Sequence, residues 1–135
     1  MNLPPLPKQN KTKEADFGLR FREWWEKYGM NAPYELKDSR GKDRLLFSEV
    51  SDEQVKVGLA ANSDKGVLIR VAAGTPGAPD YVGLRNSPYW IVIKYPKSFE
   101  VIGINTFLME KNRSRKVKSL TVERAREIST VSIKC

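Results

Sequence analysis

The chain has 135 residues, 40% of them hydrophobic, which suits a single domain with a buried core and leaves no room for a second. Lys and Arg number 24 against 16 Asp and Glu, a formal charge of +8 that favours a polyanionic partner, nucleic acid or an anionic surface. With no histidine and one cysteine, Cys135, the composition excludes His-based triads, nearly all zinc sites and an internal disulfide, so any chemistry must use carboxylates, lysines and hydroxyls.

In chain order, Met1 to Thr12 reads as a disordered basic arm, because Pro4, Pro5 and Pro7 among polar residues neither nucleate a helix nor join a sheet centre. It carries no apolar run, and no stretch of about 18 apolar residues follows, so the expectation is a cytoplasmic protein without signal peptide or membrane span. Residues 13 to 135 are expected to form one domain. From Lys13 to Tyr28 a helix is predicted, with Phe17, Phe21, Trp24, Trp25 and Tyr28 on one face, Thr12 as cap and Gly29 as stop. Aromatics at that spacing pack a core more often than they stack on bases.

Pro33 to Lys37 is the first predicted strand. Period-two alternation sends Glu35 and Lys37 to one face and Leu36 to the other. Asp38 to Leu45 follows as a mobile basic loop holding Arg40, Lys42 and Arg44 around Gly41. Ser51-Asp52-Glu53-Gln54 opens a second helix, and its small residues Gly58, Ala60 and Ala61 permit close packing. Gly66 to Ala73 has the continuous apolar character of a central buried strand. A Gly/Pro turn at Gly74 to Pro79 leads to a short strand at Asp80 to Leu84, where Asp80 reads as turn chemistry rather than a catalytic acid. Tyr89 to Tyr95 and Phe99 to Ile104 are predicted antiparallel partners, followed by a short helix from Asn105 to Lys111. The run Lys111 to Lys118, with Arg113, Arg115, Lys116 and Lys118, has the sign and density of a nucleic-acid contact. A helix capped by Ser119 or Thr121 and an edge strand at Val131 to Ile133 close the chain.

Glu35-Leu36-Lys37, the basic loop, Phe47, the Ser51 to Leu59 segment with Gln54, and the strands at Gly66 to Val71 and Tyr89 to Tyr95 together resemble the restriction-endonuclease-like nuclease superfamily. Within it the likeness is to Holliday-junction resolvases of the archaeal and the RecU-like bacterial and phage types, over roughly Lys13 to Phe107. The resemblance implies an α/β fold with a mixed central sheet flanked by helices. It also implies Mg²⁺ or Mn²⁺ as cofactor, branched DNA as partner and a homodimer that cuts two strands symmetrically. Carried onto this chain, Glu35 is a metal ligand and Leu36 lends a backbone carbonyl, Lys37 orients water or steadies the phosphate, and Gln54 braces the site. The family's strand aspartate would fall on Glu23, inside the aromatic helix, so the helix acids Glu14 or Asp16, or Asp80 from elsewhere in the fold, are the candidates to complete the site. Three functions follow as expectations: a metal-dependent resolvase, a nuclease-fold protein that binds DNA without cutting it, and an unrelated basic interaction protein that binds RNA.

Overall fold

A computed structural model describes residues 14–28, 32–71, 80–113 and 116–134; for residues 14–20, 70, 71, 80 and 82 it describes the backbone alone. The predicted arm at Met1 to Thr12, the Thr12 cap, the Gly29 stop, the turn at Gly74 to Pro79 and Arg115 lie outside the described residues. The element order is α1 (Glu14–Lys27), β1 (Tyr34–Asp38), β2 (Arg44–Leu46), α2 (Asp52–Ala61), β3 (Val67–Val71), β4 (Asp80–Leu84), β5 (Trp90–Tyr95), β6 (Ser98–Gly103), α3 (Ile104–Arg113), β7 (Ser119–Thr121), α4 (Val122–Ile128) and β8 (Val131–Lys134). Among the described residues this is a mixed α/β fold with four α-helices and a central sheet ordered β1-β5-β6-β8. Its β1–β5 pair is parallel and its other two pairs are antiparallel. No helix among the described residues is long and apolar enough to cross a membrane.

Strands β5 and β6 are apolar along their length because both their faces are covered. Ile91, Ile93, Tyr95 and Ile102 face a core completed by α2, α3 and α4 with Val55, Phe107, Leu120 and Ala125. Val92, Phe99 and Val101 face the other way, onto Phe21, Trp24 and Trp25 of α1. Phe21, Trp24 and Trp25 of the aromatic stripe are therefore core: the Phe21 ring lies 5.0 Å from Phe99 and 5.1 Å from Tyr34, and Trp25 Nε1 donates to the Ala32 carbonyl at 2.9 Å. Helix α4 starts where Thr121 Oγ1 accepts from the Arg124 amide at 3.3 Å, so Thr121 rather than Ser119 is the cap.

Two expectations are corrected. The apolar run from Gly66 is not a central strand: β3 pairs only with β4 in a separate two-stranded sheet, where Val67 and Ile69 pack on the core and Leu68 is 71% exposed. Continuous hydrophobicity there reflects a twisted ribbon with one face on the core. The basic loop predicted over Asp38 to Leu45 is shorter than expected, because β1 runs to Asp38 and β2 starts at Arg44, and it opens on a hydrogen-bonded turn: Lys42 N–H donates to the Ser39 carbonyl at 3.2 Å and Arg40 N–H to Asp38 Oδ1 at 2.9 Å. Its central residues, Arg40 and Gly41, both have positive φ, the pattern of a type I′ turn. The chain then enters β2, which pairs with β7.

Helix α3 is joined to α4 by Arg124, which donates from Nε to Glu110 Oε1 at 2.9 Å and from Nη2 to Glu110 Oε2 at 3.0 Å, a two-pronged guanidinium–carboxylate pair. The hydrogen bonds from Arg124 hold the Glu110 carboxyl below its ordinary pKa near 4.5, against the upward push of burial. A depressed carboxylate pKa stabilises the fold above the unfolded value, and that stability is lost as pH falls through the folded one. Glu110→Gln should therefore lower Tm at pH 7, with a deficit that starts to shrink as pH falls below the ordinary carboxyl value near 4.5 and closes only below the lowered folded value; thermal melts at several pH values check it.

Helix α2 sits close to the sheet because Gly58 has no side chain. A Cβ there would stand 2.9 Å from both Tyr89 Cδ1 and Ile104 Cγ1. Alanine would gain about 1 kcal/mol of helix propensity but force an overpacking cost of about 1–3 kcal/mol. Gly58→Ala should thus be destabilising by about 1 kcal/mol, a fall in Tm of roughly 4 °C, read by thermal melting; a rise in Tm would mean that the helix moves off the sheet without cost.

Candidate functional site

Strand β1 forms one edge of the central sheet, and its register with β5 sets Glu35 beside Ile91 and Lys37 beside Ile93. Those isoleucines point into the core shared with α2, so Glu35 and Lys37 emerge on the α2 side while Tyr34 and Leu36 pack toward α1. The backbone alternates as well. The Pro33 carbonyl accepts from Trp90 N–H and Ser39 N–H donates to the Lys94 carbonyl, so odd-numbered residues of β1 bond to β5. The Leu36 carbonyl accordingly points away from β5, to the unpaired edge of the sheet.

Helix α2 delivers Gln54 to the same place. Ser51 Oγ accepts from the Gln54 amide at 3.2 Å while Gln54 Oε1 accepts from Ser51 N–H at 3.0 Å, a reciprocal capping box. With its oxygen committed to an amide donor, the side chain has only its nitrogen to offer, and Gln54 Nε2 donates to Glu35 Oε1 at 2.7 Å. Lys37 Nζ stands 3.6 Å from the same oxygen, and both side chains are largely buried, 20% and 29% exposed. The contacts of Glu35 among the described residues thus fall on Oε1, and Oε2 remains for another ligand. Tyr89, at the foot of β5, shares this environment: burial raises its phenol pKa, and the negative charge of Glu35 raises it further. Tyr89 was not among the sequence candidates. Parallel pairing brings it to Glu35 across a long stretch of chain, and no local pattern encodes that.

The three residues assigned catalytic roles from the sequence, Glu35, Lys37 and Gln54, are therefore brought together. Of the other acids, Glu14 and Asp16 lie in the first turn of α1 and Asp80 opens β4, with only their backbones described. Glu23, where the family's strand aspartate would fall, is exposed on α1, and the chain passes from α1 to β1 without another strand among the described residues. No group of three Asp, Glu, Cys or His side chains among the described residues is placed to hold a metal ion. Arg40, Lys42 and Arg44 are exposed along the turn and the start of β2. Arg113 is exposed at the end of α3, 3.5 Å from Glu110, and Lys116 and Lys118 are exposed before β7. Lys111 belongs to α3 and lies 3.6 Å from Asp52 at the start of α2.

No protein-family model, curated protein or solved structure matches this chain.

Gln54→Ala should cost the side-chain half of the capping box and the bond to Glu35 together, about 1–2 kcal/mol, while the amide of residue 54 keeps its bond to Ser51 Oγ. Gln54→Glu keeps an acceptor for Ser51 N–H but sets a second carboxylate against Glu35, so one of the pair must have a raised pKa. A raised carboxylate pKa stabilises at low pH and is lost as pH rises through it. The Glu variant should therefore gain Tm relative to the parent between pH 7 and pH 5, whereas the Ala variant keeps a constant deficit; thermal melts at the two pH values distinguish them.

Proposed function

We propose that this chain is a metal-dependent DNA endonuclease of the Holliday-junction resolvase type, built on a restriction-endonuclease-like core and acting on branched DNA as a homodimer. The observation that carries the reading is the convergence of Glu35, Lys37 and Gln54, 19 residues separating the first from the last, within hydrogen-bond and ion-pair distance on one face of an edge strand. Supporting it are the formal charge of +8 and the exposed Arg40, Lys42, Arg44, Arg113, Lys116 and Lys118 on the loops and ends that follow the site strand and α3.

The residues fit Mg²⁺ or Mn²⁺ in kind. Glu35 Oε2 and the outward Leu36 carbonyl are hard oxygen donors, and Mg²⁺ commonly binds through one or two carboxylates while keeping several waters. Glu14, Asp16 or Asp80 would be the further acid. Such an ion, when bound, neutralises charge on the phosphate and makes hydroxide available near neutral pH. The chain's own groups do the rest: Gln54 fixes the rotamer of Glu35, and Lys37 offers an ammonium to a phosphate oxygen from the same strand face. The Glu35–Lys37 ion pair also favours a second reading, a nuclease-fold protein that binds DNA and does not cut it, in which the pair is structural.

Cleavage of a labelled four-way junction and a matched linear duplex, with Mg²⁺, Mn²⁺ or EDTA, separates the two. Junction-selective, metal-dependent cutting is expected, with Glu35→Ala and Lys37→Ala each lowering the rate about 10²–10³-fold and Glu35→Ala leaving binding in EDTA intact. Persistent cutting by Glu35→Ala would sink the site assignment. Tight junction binding with no cutting under any metal would establish the second reading.

A further inference from the structure

At the start of α2, on the N-terminal side of Gln54, the surface opens into a cleft of about 670 Å³ lined also by Lys111 of α3 and by Val117 and Lys118 before β7. Its lining mixes chemistries that a protein surface seldom sets together: the ammonium-bearing Lys111 and Lys118, the apolar Leu46 and Val117, and Ser51 and Asp52 at the helix start. Leu46 and Val117 are 49% and 53% exposed, Leu46 between the buried Leu45 and Phe47 and Val117 between the exposed Lys116 and Lys118. The β2–β7 pairing sets Leu46 opposite Ser119, and Phe47 N–H donates to the Lys118 carbonyl at 3.0 Å, so the two apolar side chains and Lys118 are held to one short ribbon.

We propose that this cleft seats one nucleotide of an unpaired DNA strand, its phosphate between Lys111 and Lys118 and its base against Leu46 and Val117. The inference rests on the nucleic-acid reading above for its polymer, and not on cleavage. A duplex turns its phosphates outward and hides its base faces, so it needs neither a concavity nor exposed apolar side chains; an unpaired nucleotide offers an anion and a bare base together. The cleft lies within the size range of small-ligand sites. Asp52, which lines the cleft, opens α2, so the helix start brings the positive end of its dipole to the cleft. Asp52 opposes the ligand, but its carboxylate is 90% exposed and its 3.6 Å pair with Lys111 is of the solvent-screened kind that is given up readily. Ser51, which lines the cleft, is hydrogen-bonded to Gln54, and Gln54 to Glu35, so the cleft and the candidate site meet at the same end of α2.

The test is fluorescence anisotropy in EDTA with a labelled oligothymidylate and a duplex of equal length, using the whole chain and variants of exposed residues. The double variant Leu46→Ser, Val117→Ser should weaken single-strand binding about 5- to 10-fold, the low end for loss of one base's packing, and change duplex binding less than about twofold. Lys118→Gln should reduce the single-strand salt slope by about 0.7, and Asp52→Asn should tighten single-strand binding about three- to fivefold. Equal losses on both ligands, unchanged single-strand affinity in the double variant, or no single-strand binding by the parent would each overturn the assignment. Because no metal is present, these results stand apart from cleavage: a chain that never cuts junctions but shows the selective loss retains the cleft assignment, and the nuclease reading alone falls.

Discussion

The hydrogen bond from Gln54 Nε2 to Glu35 Oε1 joins two parts of the molecule that nothing else fixes so closely. Glu35 stands on an edge strand, held on one side only by β5. Gln54 is the third residue of a ten-residue helix whose start would fray without its cap. The capping box satisfies Gln54's oxygen, which leaves its nitrogen for the carboxylate, and so the helix start is locked by the same side chain that positions the acid. Gly58, one and a bit turns further on, lets the helix approach Tyr89 and Ile104 closely enough for that bond to form. Local helix chemistry and site geometry are one constraint here.

The sheet beneath carries an uneven load. Its centre is apolar on both faces, yet the corner around Tyr95 is polar. Glu100 is fully buried, with Oε2 accepting from Ser132 Oγ at 2.8 Å and lying 3.8 Å from Arg126 Nε. Its Oε1, and the Oγ atoms of Ser39 and Ser98, have no partner among the described residues. Tyr95 pairs with Ser98 across the β5–β6 hairpin, and its hydroxyl donates to the Leu120 carbonyl at 2.9 Å. Burial, and then the charges of Glu100 and Glu123, push its phenol pKa far upward. Each unsatisfied group costs about 1–3 kcal/mol, a cost that the dry packing of Ile91, Ile93, Ile102 and Phe107 offsets.

Much of the architecture was legible in one dimension. The 3.6 period of Phe21, Trp24 and Trp25, the Ser51-to-Gln54 cap and the apolar runs predicted at 89–95 and 99–104 each carry a local signature, and the two strands lie within one residue of those bounds at 90–95 and 98–103. What local signatures lack is partner choice. Val67 to Val71 is as apolar as β5, but it joins a ribbon instead of the central sheet, because that decision depends on which strand β5 meets first. The same limit governed the site. Glu35 and Lys37 could be set on one face by alternation alone, and the resemblance added Gln54, but Tyr89 enters only through a parallel pairing, and the cleft only through the β2–β7 ribbon. The basic segments were visible as composition. That Lys111 faces Asp52, and that Arg40 occupies a tight turn, are facts of folding.

The charges near Glu35 bear on how such a site would work. Around one carboxylate the described residues place the Lys37 ammonium at 3.6 Å, an amide donor at 2.7 Å and the positive end of the α2 dipole. Summed, these groups suit an anion better than a bare cation. Under the nuclease reading a divalent ion would then depend on oxygens brought by the phosphate, or on a second acid from α1 or β4, to be held well. Nucleic acid and metal would bind cooperatively, each supplying charge that the other needs, and linkage makes that dependence mutual. Under the same reading the surrounding arginines and lysines would draw the polyanion in first, by a field that needs no metal, and the edge of β1 would receive it.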